Sequence, residues 1–361
     1  MPRFHALKVA DLRRETEEAV SVAFEIPEAL ADDFHFIQGQ YLTLRQQING
    51  EEVRRNYSVC VSPLDGELRV AIKKVPGGRF STYANDHLKI GDLLDVMPPM
   101  GRFYTEVKKE NKKTYVGFAG GSGITPVMSI LKTVLQVESE SRFLLFYGNR
   151  GFDSIIFREE LEDLKNEFMG RLTVHHIFSE EKLESELFNG FITEEKCKVF
   201  AKYFFDVNQV DEYFICGPEP MMLAIRDALQ GLGVDQKAIH VELFTSASTP
   251  KAAKTFAAPK KATFDGSKES LVSVRLDGTT IDFRLAYDSH TVLDAALKSG
   301  ADLPYACKGG VCSTCRAKLV SGDVDMDANY ALEPDEVAAG YILTCQAHPR
   351  SEKIFVDFDD Q

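Results

Sequence analysis

The sequence predicts a multidomain chain with three folded parts: an antiparallel β domain, an α/β domain on a parallel sheet, and a small C-terminal α+β domain. Three observations predict it. Near residue 105 the apolar rhythm changes from short alternating strands to strands separated by helices. A stretch poor in large apolar residues follows residue 244. Four of the seven cysteines cluster between Cys307 and Cys345. At 361 residues the chain has room for two or three domains of about 100–200 residues each.

The first part, residues 1–105, carries YLTLR, NYSVCV and ELRVAIKKV, punctuated by PLDG, PGG and MPPMG. Short alternating runs with regular turns point to an antiparallel barrel or sandwich. The second, 106–244, alternates buried-strand runs (TYVGFAG, RFLLFYG, RLTVHHIF, DEYFICG) with helical ones (TPVMSILKTVL, SIIFREELEDLKNEF, PMMLAIRDALQGLG). That alternation implies a parallel sheet wrapped by helices. Residues 245–270 read as a flexible linker that, as a coil of about 20 residues, spans on the order of 25 Å. In the last part, 271–361, LVSVRL and TIDFRL flank Asp277-Gly278, a hairpin signal. The helix-like run TVLDAALKSG then precedes the cysteine loop.

Composition excludes several classes. Hydrophobic residues are 44% and charged residues 27%, as in an ordinary folded protein. No run approaches the roughly 18 apolar residues of a membrane helix. The opening MPRFHALKVADLRRET lacks the apolar stretch of a secretory signal, so a cytoplasmic location is expected. A net charge of −13 argues against nucleic acid and anionic membranes as partners. Residues 271–361 hold 15 Asp and Glu against 8 Lys and Arg, a net of −7, which suits salt-sensitive docking to a basic protein face.

The cysteine spacing, Cys307-x4-Cys312-x2-Cys315 and then Cys345, is the plant-type two-iron, two-sulfur pattern. Zinc sites use two paired units, and here there is one CxxC. Small residues (Gly309, Gly310, Ser313, Thr314) let backbone N–H groups approach sulfur. The loop CKGGVCSTCRAKLVSGDV resembles plant-type ferredoxins, which implies a β-grasp fold and one-electron transfer.

Gly120-Gly121-Ser122-Gly123-Ile124-Thr125-Pro126 joins a strand to a helix. Such a turn brings backbone and a helix N-terminus to a pyrophosphate, or is an ordinary strand–helix turn. Pro126 stands where the dinucleotide fingerprint has its third glycine. Cys216-Gly217-Pro218 ends another strand, where ligands of parallel sheets bind, although a buried core cysteine is an equal reading. Arg55-Asn56-Tyr57-Ser58 offers a phosphate partner, a stacking ring and a hydroxyl on one strand, or a plain strand with a snorkelling Arg. Gly77-Gly78, followed by Ser81 and Thr82, suits a phosphate at a turn.

The order RxYS, GGxxS/T, GGSGITP, CGP resembles the ferredoxin–NADP reductase family of flavoproteins over residues 1–246. The resemblance implies an antiparallel β-barrel that binds FAD and an α/β domain that binds the nicotinamide nucleotide. It places Arg55 and Tyr57 on the flavin, Ser58 near its N5, and Gly77, Gly78, Ser81 and Thr82 on the pyrophosphate. It places Gly121, Gly123 and Thr125 on the nicotinamide nucleotide and Cys216 near nicotinamide C4, with Glu242 and Phe244 closing the flavin site. Ser58 and Cys216 are thus the expected catalytic pair, both orienting rings. Arg150 favours the 2′-phosphate of NADPH, with Asp153 a complication.

The whole chain resembles the reductase subunits of bacterial phenylacetyl-CoA epoxidases, through FHALKVADLRRET, EEVRRNYSVC, DLPYACKGGVCSTCRAKL and DMDANYALEPDEVAAGYILTCQA. This implies electron flow from NADPH to FAD to the [2Fe-2S] cluster, and on to a separate di-iron oxygenase that epoxidises phenylacetyl-CoA. The alternative is an NADH-dependent reductase for a Rieske-type ring or steroid oxygenase. A redox-sensing module is a third class, against which the intact flavin and nicotinamide motifs argue.

Overall fold

The computed structural model describes residues 3–244 and 268–360. The expected linker lies outside the described residues over 245–267, and its last two residues, Glu269 and Ser270, open a strand. One compact unit comprises Phe4–Val53 with Tyr57–Phe244, and a second contains the C-terminal residues.

The first sheet contains β1 (His5–Thr16), β2 (Ala19–Glu25), β3 (Tyr41–Ile48), β4 (Glu51–Ser58), β5 (Leu68–Lys73) and β6 (Leu93–Met100), in the order β4-β3-β6-β1-β2-β5. The β1–β2, β1–β6, β2–β5 and β3–β6 pairs are antiparallel. An antiparallel bridge from Val59 to Val70 joins the end of β4 to β5 and closes the sheet on itself. Closure explains why AVSVAF of β2 is buried at every position rather than alternately: one face lines the barrel and the other is covered. A short helix, α1 (Arg79–Asp86), starts just after Gly77-Gly78.

The second sheet is parallel, in the order β11-β10-β7-β8-β9, from β7 (Thr114–Gly120), β8 (Arg142–Asn149), β9 (Leu172–Phe178), β10 (Glu212–Gly217) and β11 (Ile239–Leu243). Its helices are α2 (Ile124–Val137), α3 (Arg158–Glu167), α4 (Glu194–Tyr203) and α5 (Glu219–Gly231). Helix α2 is buried on nearly every side because it lies between this sheet and the barrel. Ser129 Oγ donates to the carbonyl of Val61 (2.6 Å), and Lys132 pairs with Asp65 (2.6 Å) and Glu160 (2.5 Å). The run expected to be helical from Ser154 becomes α3 only at Arg158, because Phe157 takes a left-handed backbone (φ 61°) that breaks the turn. Helix α4, with Thr193 as its N-cap, is an addition to the elements expected from the sequence.

The C-terminal unit holds a mixed sheet in the order β13-β12-β18-β14-β16. Its strands are β12 (Glu269–Leu276), β13 (Thr279–Ala286), β14 (Arg316–Ser321), β16 (Tyr341–Leu343) and β18 (Lys353–Asp357). Helix α6 (Val292–Lys298) packs on it, α7 (Pro334–Ala338) precedes β16, and β15 (Val324–Met326) pairs with β17 (Ala347–Pro349). The β12–β13 hairpin turns at Asp277 (φ 49°) and Gly278 (φ 71°), as its sequence predicts.

At the amino ends of the parallel strands, Glu212 accepts hydrogen bonds from Thr105 Oγ1 (2.7 Å), Lys113 Nζ (2.7 Å) and His240 Nε2 (2.9 Å). Burial raises this carboxyl, but the three donors outweigh it and hold Glu212 down at about 2. A folded value below the unfolded one gives stability that is present above about pH 4.5 and lost as pH falls toward 2. Glu212→Gln is expected to cost about 2–3 kcal/mol at pH 7. The gap to the parent in denaturant unfolding should narrow at pH 3.5, and an equal gap at both pH values would contradict the assignment.

Candidate functional site

Strand β4 carries Arg55, Tyr57 and Ser58. The Arg55 guanidinium donates to the Arg54 carbonyl (2.7 Å). The Tyr57 ring leans on Phe80, centroids 5.6 Å apart. Ser58 is buried, and its hydroxyl donates to Glu242 Oε2 (3.4 Å). Glu242 is the β11 residue in register with Cys216 of β10, so Ser58, Glu242 and Cys216 meet where barrel and parallel sheet join. Cys216 is fully buried, and burial first, then the Glu242 charge, pushes its thiol well up. Glu242 is partly buried. Burial pushes it up to about 8 against the pull of Ser58. Phe244, just beyond β11, is 40% exposed.

Glu242 is therefore protonated at neutral pH. Its folded value lies above the unfolded one, so this carboxyl costs stability increasingly as pH rises from 4.5 to about 8. Flavin reduction followed by stopped flow should show an inflection near pH 8 that Glu242→Gln abolishes. Retention of the inflection in that variant would remove Glu242 from the proton inventory.

Gly77-Gly78 leads into α1, whose first N–H groups receive no side-chain cap, so they remain available to an anion. A Cβ on Gly78 would lie 2.4 Å from Ser81 Oγ, which keeps this turn tight. The Ser81 hydroxyl spans the turn, donating to the Gly78 carbonyl and accepting from the Val75 N–H (both 3.2 Å). Thr82, one position on, is partly exposed. The uncapped helix start and the bare glycine turn fit the FAD pyrophosphate.

The second glycine turn, Gly121–Gly123, runs into α2, which also lacks a side-chain cap. Thr125 Oγ1 donates to the Ser122 carbonyl (3.1 Å), and Tyr147 Oη to the Gly121 carbonyl (3.0 Å). A Cβ on Gly123 would fall 2.1 Å from the Cys216 carbonyl oxygen. The GGSGITP and CGP segments thus touch backbone to backbone. Arg150 follows β8 at the same end of the sheet and is ion-paired with Glu18 of the barrel. Asp153 faces Arg158 instead (3.8 Å). Lys73, half-buried beside Gly121 and Arg150, is inconspicuous in the sequence, where it is one of several strand lysines.

In the C-terminal unit the four cysteines converge. The Cys307 and Cys312 sulfurs are 3.1 Å apart, and the Cys345 thiol lies close enough to interact with both Cys307 and Cys315. The Gly309 and Cys312 N–H groups donate to Cys307 Sγ (3.3 and 3.4 Å). The partner thiols, Cys312 first, hold the Cys307 thiol low, and the Cys345 thiol does the same for Cys315. Thr344 ties its loop to the Cys315 carbonyl (Oγ1 2.9 Å), which fixes Cys345 against the other three cysteines. Among the described residues no three such side chains surround a single-ion position. Paired thiols fit a two-iron cluster, which spreads four thiolates over two metals. Cys307 alone of the four is partly exposed.

Comparison with known proteins agrees with this division. Residues 7–104 match the oxidoreductase FAD-binding domain, 118–227 the oxidoreductase NAD-binding domain, and 274–350 the 2Fe-2S iron-sulfur cluster binding domain. The chain is 46% identical to a 1,2-phenylacetyl-CoA epoxidase subunit of Escherichia coli over 99% of both proteins. It is 34% identical to the ferredoxin reductase component of 3-ketosteroid-9-alpha-monooxygenase of Rhodococcus rhodochrous, over 98% of this chain and 96% of that one. The solved structure of phthalate dioxygenase reductase shares the fold, with a TM-score of 0.59, 23% identity and 98% coverage of each chain. No helix among the described residues is long and apolar enough to cross a membrane. The chain belongs to the family of oxidoreductases that join FAD-binding, NAD-binding and 2Fe-2S domains as reductase components of oxygenases, the family that includes this 1,2-phenylacetyl-CoA epoxidase subunit.

Proposed function

We propose that this protein oxidises NADPH and delivers single electrons to a di-iron oxygenase that epoxidises phenylacetyl-CoA. The observation that carries the reading is the 46% identity to the Escherichia coli epoxidase protein over nearly the entire length. When bound, FAD exchanges electrons in pairs with nicotinamide and singly with iron, and the cluster carries one electron at a time. The chain's own residues position these carriers. Tyr57 offers a ring face, Arg55 a cation, and the α1 N-terminus its N–H groups. Ser58 holds a hydroxyl against Glu242, whose protonated carboxyl keeps a proton beside the redox centre at neutral pH. Cys216 presents its strand end to the nicotinamide, and Gly121, Gly123 and Thr125 shape the turn beneath the nucleotide. Cys307, Cys312, Cys315 and Cys345 hold the cluster. No residue is required to act on the oxygenase substrate, whose chemistry belongs to the partner.

The 34% identity to a ketosteroid monooxygenase component supports a second reading, a reductase for a steroid-ring oxygenase using NADH. Reconstitution separates them. The purified chain with the epoxidase oxygenase subunits should support NADPH-dependent oxygenation of phenylacetyl-CoA. Absence of product with an active oxygenase and a reduced cluster would transfer the assignment to the second reading.

A further inference from the structure

The barrel residue Glu18 lies in the short connection between β1 and β2, far in sequence from the nucleotide-binding motifs. Its carboxylate nevertheless reaches the carboxyl end of the parallel sheet and pairs with the Arg150 guanidinium. Both side chains are about half exposed, 44% for Glu18 and 50% for Arg150, so the pair is accessible and weakly held. The Glu18 backbone is fixed, since its carbonyl accepts a hydrogen bond from the Lys74 N–H (2.6 Å).

The surroundings have the character of a polar ligand site. Asn149 and Tyr147, two apart on β8, point to one face of the sheet, and the Tyr147 hydroxyl on that face reaches the Gly121 carbonyl. Asn149 is only 8% exposed, and its amide interacts with the Tyr147 hydroxyl, though not in full hydrogen-bonding geometry. A buried amide held this loosely keeps hydrogen-bonding capacity for a ligand. Lys73 brings a second cation, its Nζ 3.6 Å from where a Cβ on Gly121 would stand, and Arg150 lies close enough to disfavour its charge. Glu18 is thus an anion facing two cations at the sheet end where a nucleotide ribose binds.

We propose that Glu18 competes with the 2′-phosphate of the nucleotide for Arg150 and so sets the discrimination between NADPH and NADH. With NADH, the carboxylate can stay on Arg150 and accept from the ribose 2′-hydroxyl. With NADPH, the phosphate takes Arg150 and Lys73, and the like-charged carboxylate must leave. Asn149 can hydrogen-bond the ribose of either nucleotide. The inference rests on the reading of Arg150 as the residue that meets the 2′ position.

The test is binding of 2′,5′-ADP and of 5′-AMP to the full-length flavoprotein by calorimetry at low salt. The half-exposed ion pair that the phosphate must displace is worth up to about fivefold in affinity. Glu18→Gln should therefore tighten 2′,5′-ADP up to about fivefold and leave 5′-AMP unchanged or weaker, an advantage that shrinks in high salt. Arg150→Ala should weaken 2′,5′-ADP and spare 5′-AMP. If Arg150→Ala has no effect on 2′,5′-ADP, the reading of Arg150 is wrong and the inference goes with it. If Arg150→Ala acts as expected but Glu18→Gln leaves the ratio of the two affinities unchanged, the inference about Glu18 alone is overturned.

Discussion

Cys312→Ser is expected to abolish electron delivery to the oxygenase while NADPH still reduces the flavin. Its sulfur lies 3.1 Å from that of Cys307, and its backbone N–H also donates to Cys307, so as the proposed ligand this residue would both bind iron and shape its neighbour. A serine hydroxyl keeps the volume but is a hard, weakly acidic group that replaces thiolate poorly on iron. Loss of outer partners alone costs metal sites 10–100-fold, so loss of a ligand should lower oxygenase-coupled turnover by about two orders of magnitude or more. NADPH-dependent ferricyanide reduction should stay within about twofold of the parent, because the nucleotide residues and, apart from Arg55, the flavin residues lie outside the unit that holds the four cysteines. Cys197→Ala is the control: Cys197 is buried in the core beside the parallel sheet, and its loss should leave the cluster spectrum intact. Failure of flavin reduction in Cys312→Ser would mean that the two redox centres do not function separately.

The second large effect is expected at Gly123. A methyl group there would stand 2.1 Å from the Cys216 carbonyl oxygen, 2.4 Å from its carbon and 2.7 Å from the Gly217 nitrogen. All three are backbone atoms of β10, hydrogen-bonded between β7 and β11, so none can rotate away as a flexible side chain would. Relief requires either moving the glycine turn off the nucleotide or pushing the end of β10, with Cys216, out of line with Glu242. Overpacking of this kind costs about 3 kcal/mol, and an ångström-scale displacement at a reacting centre costs about 100-fold in rate. Gly123→Ala should therefore lower kcat/KM for NADPH about 100-fold while the bound cluster keeps its spectrum. A variant within twofold of the parent would show that the GGSGITP and CGP backbones do not need this close approach.

The parts of the site that are legible in the sequence are those where chemistry restricts residue type over a short span. The cysteine spacing is restricted by the cluster, the GGSGITP turn by the approach of Cys216, and Asp277-Gly278 by a turn with two positive φ angles. The parallel sheet is legible because β7 and β10 are apolar on both faces. What escapes a reading of the sequence depends on distant partners. Nothing local marks Glu212 as the acceptor for Thr105, Lys113 and His240, since any strand-end Glu reads the same. Glu18 sits in an ordinary polar turn, and only the folded barrel carries it to Arg150. The start of α3 departs from the expected position because Phe157, a buried residue and not a turn-former, takes a left-handed backbone. Ser81, expected on the pyrophosphate, has a hydroxyl that also ties its own turn together, a role that depends on Val75 and Gly78 and not on Ser81 alone.

The claim that unites these residues is that one chain converts a two-electron donor into a one-electron supply. The most direct test is an anaerobic titration of the purified protein with NADPH, followed in the visible. The account requires flavin and cluster to bleach together at about three electron equivalents per chain, two on the flavin and one on the iron. Bleaching of the flavin alone, at about two equivalents and with the iron content intact, would contradict it.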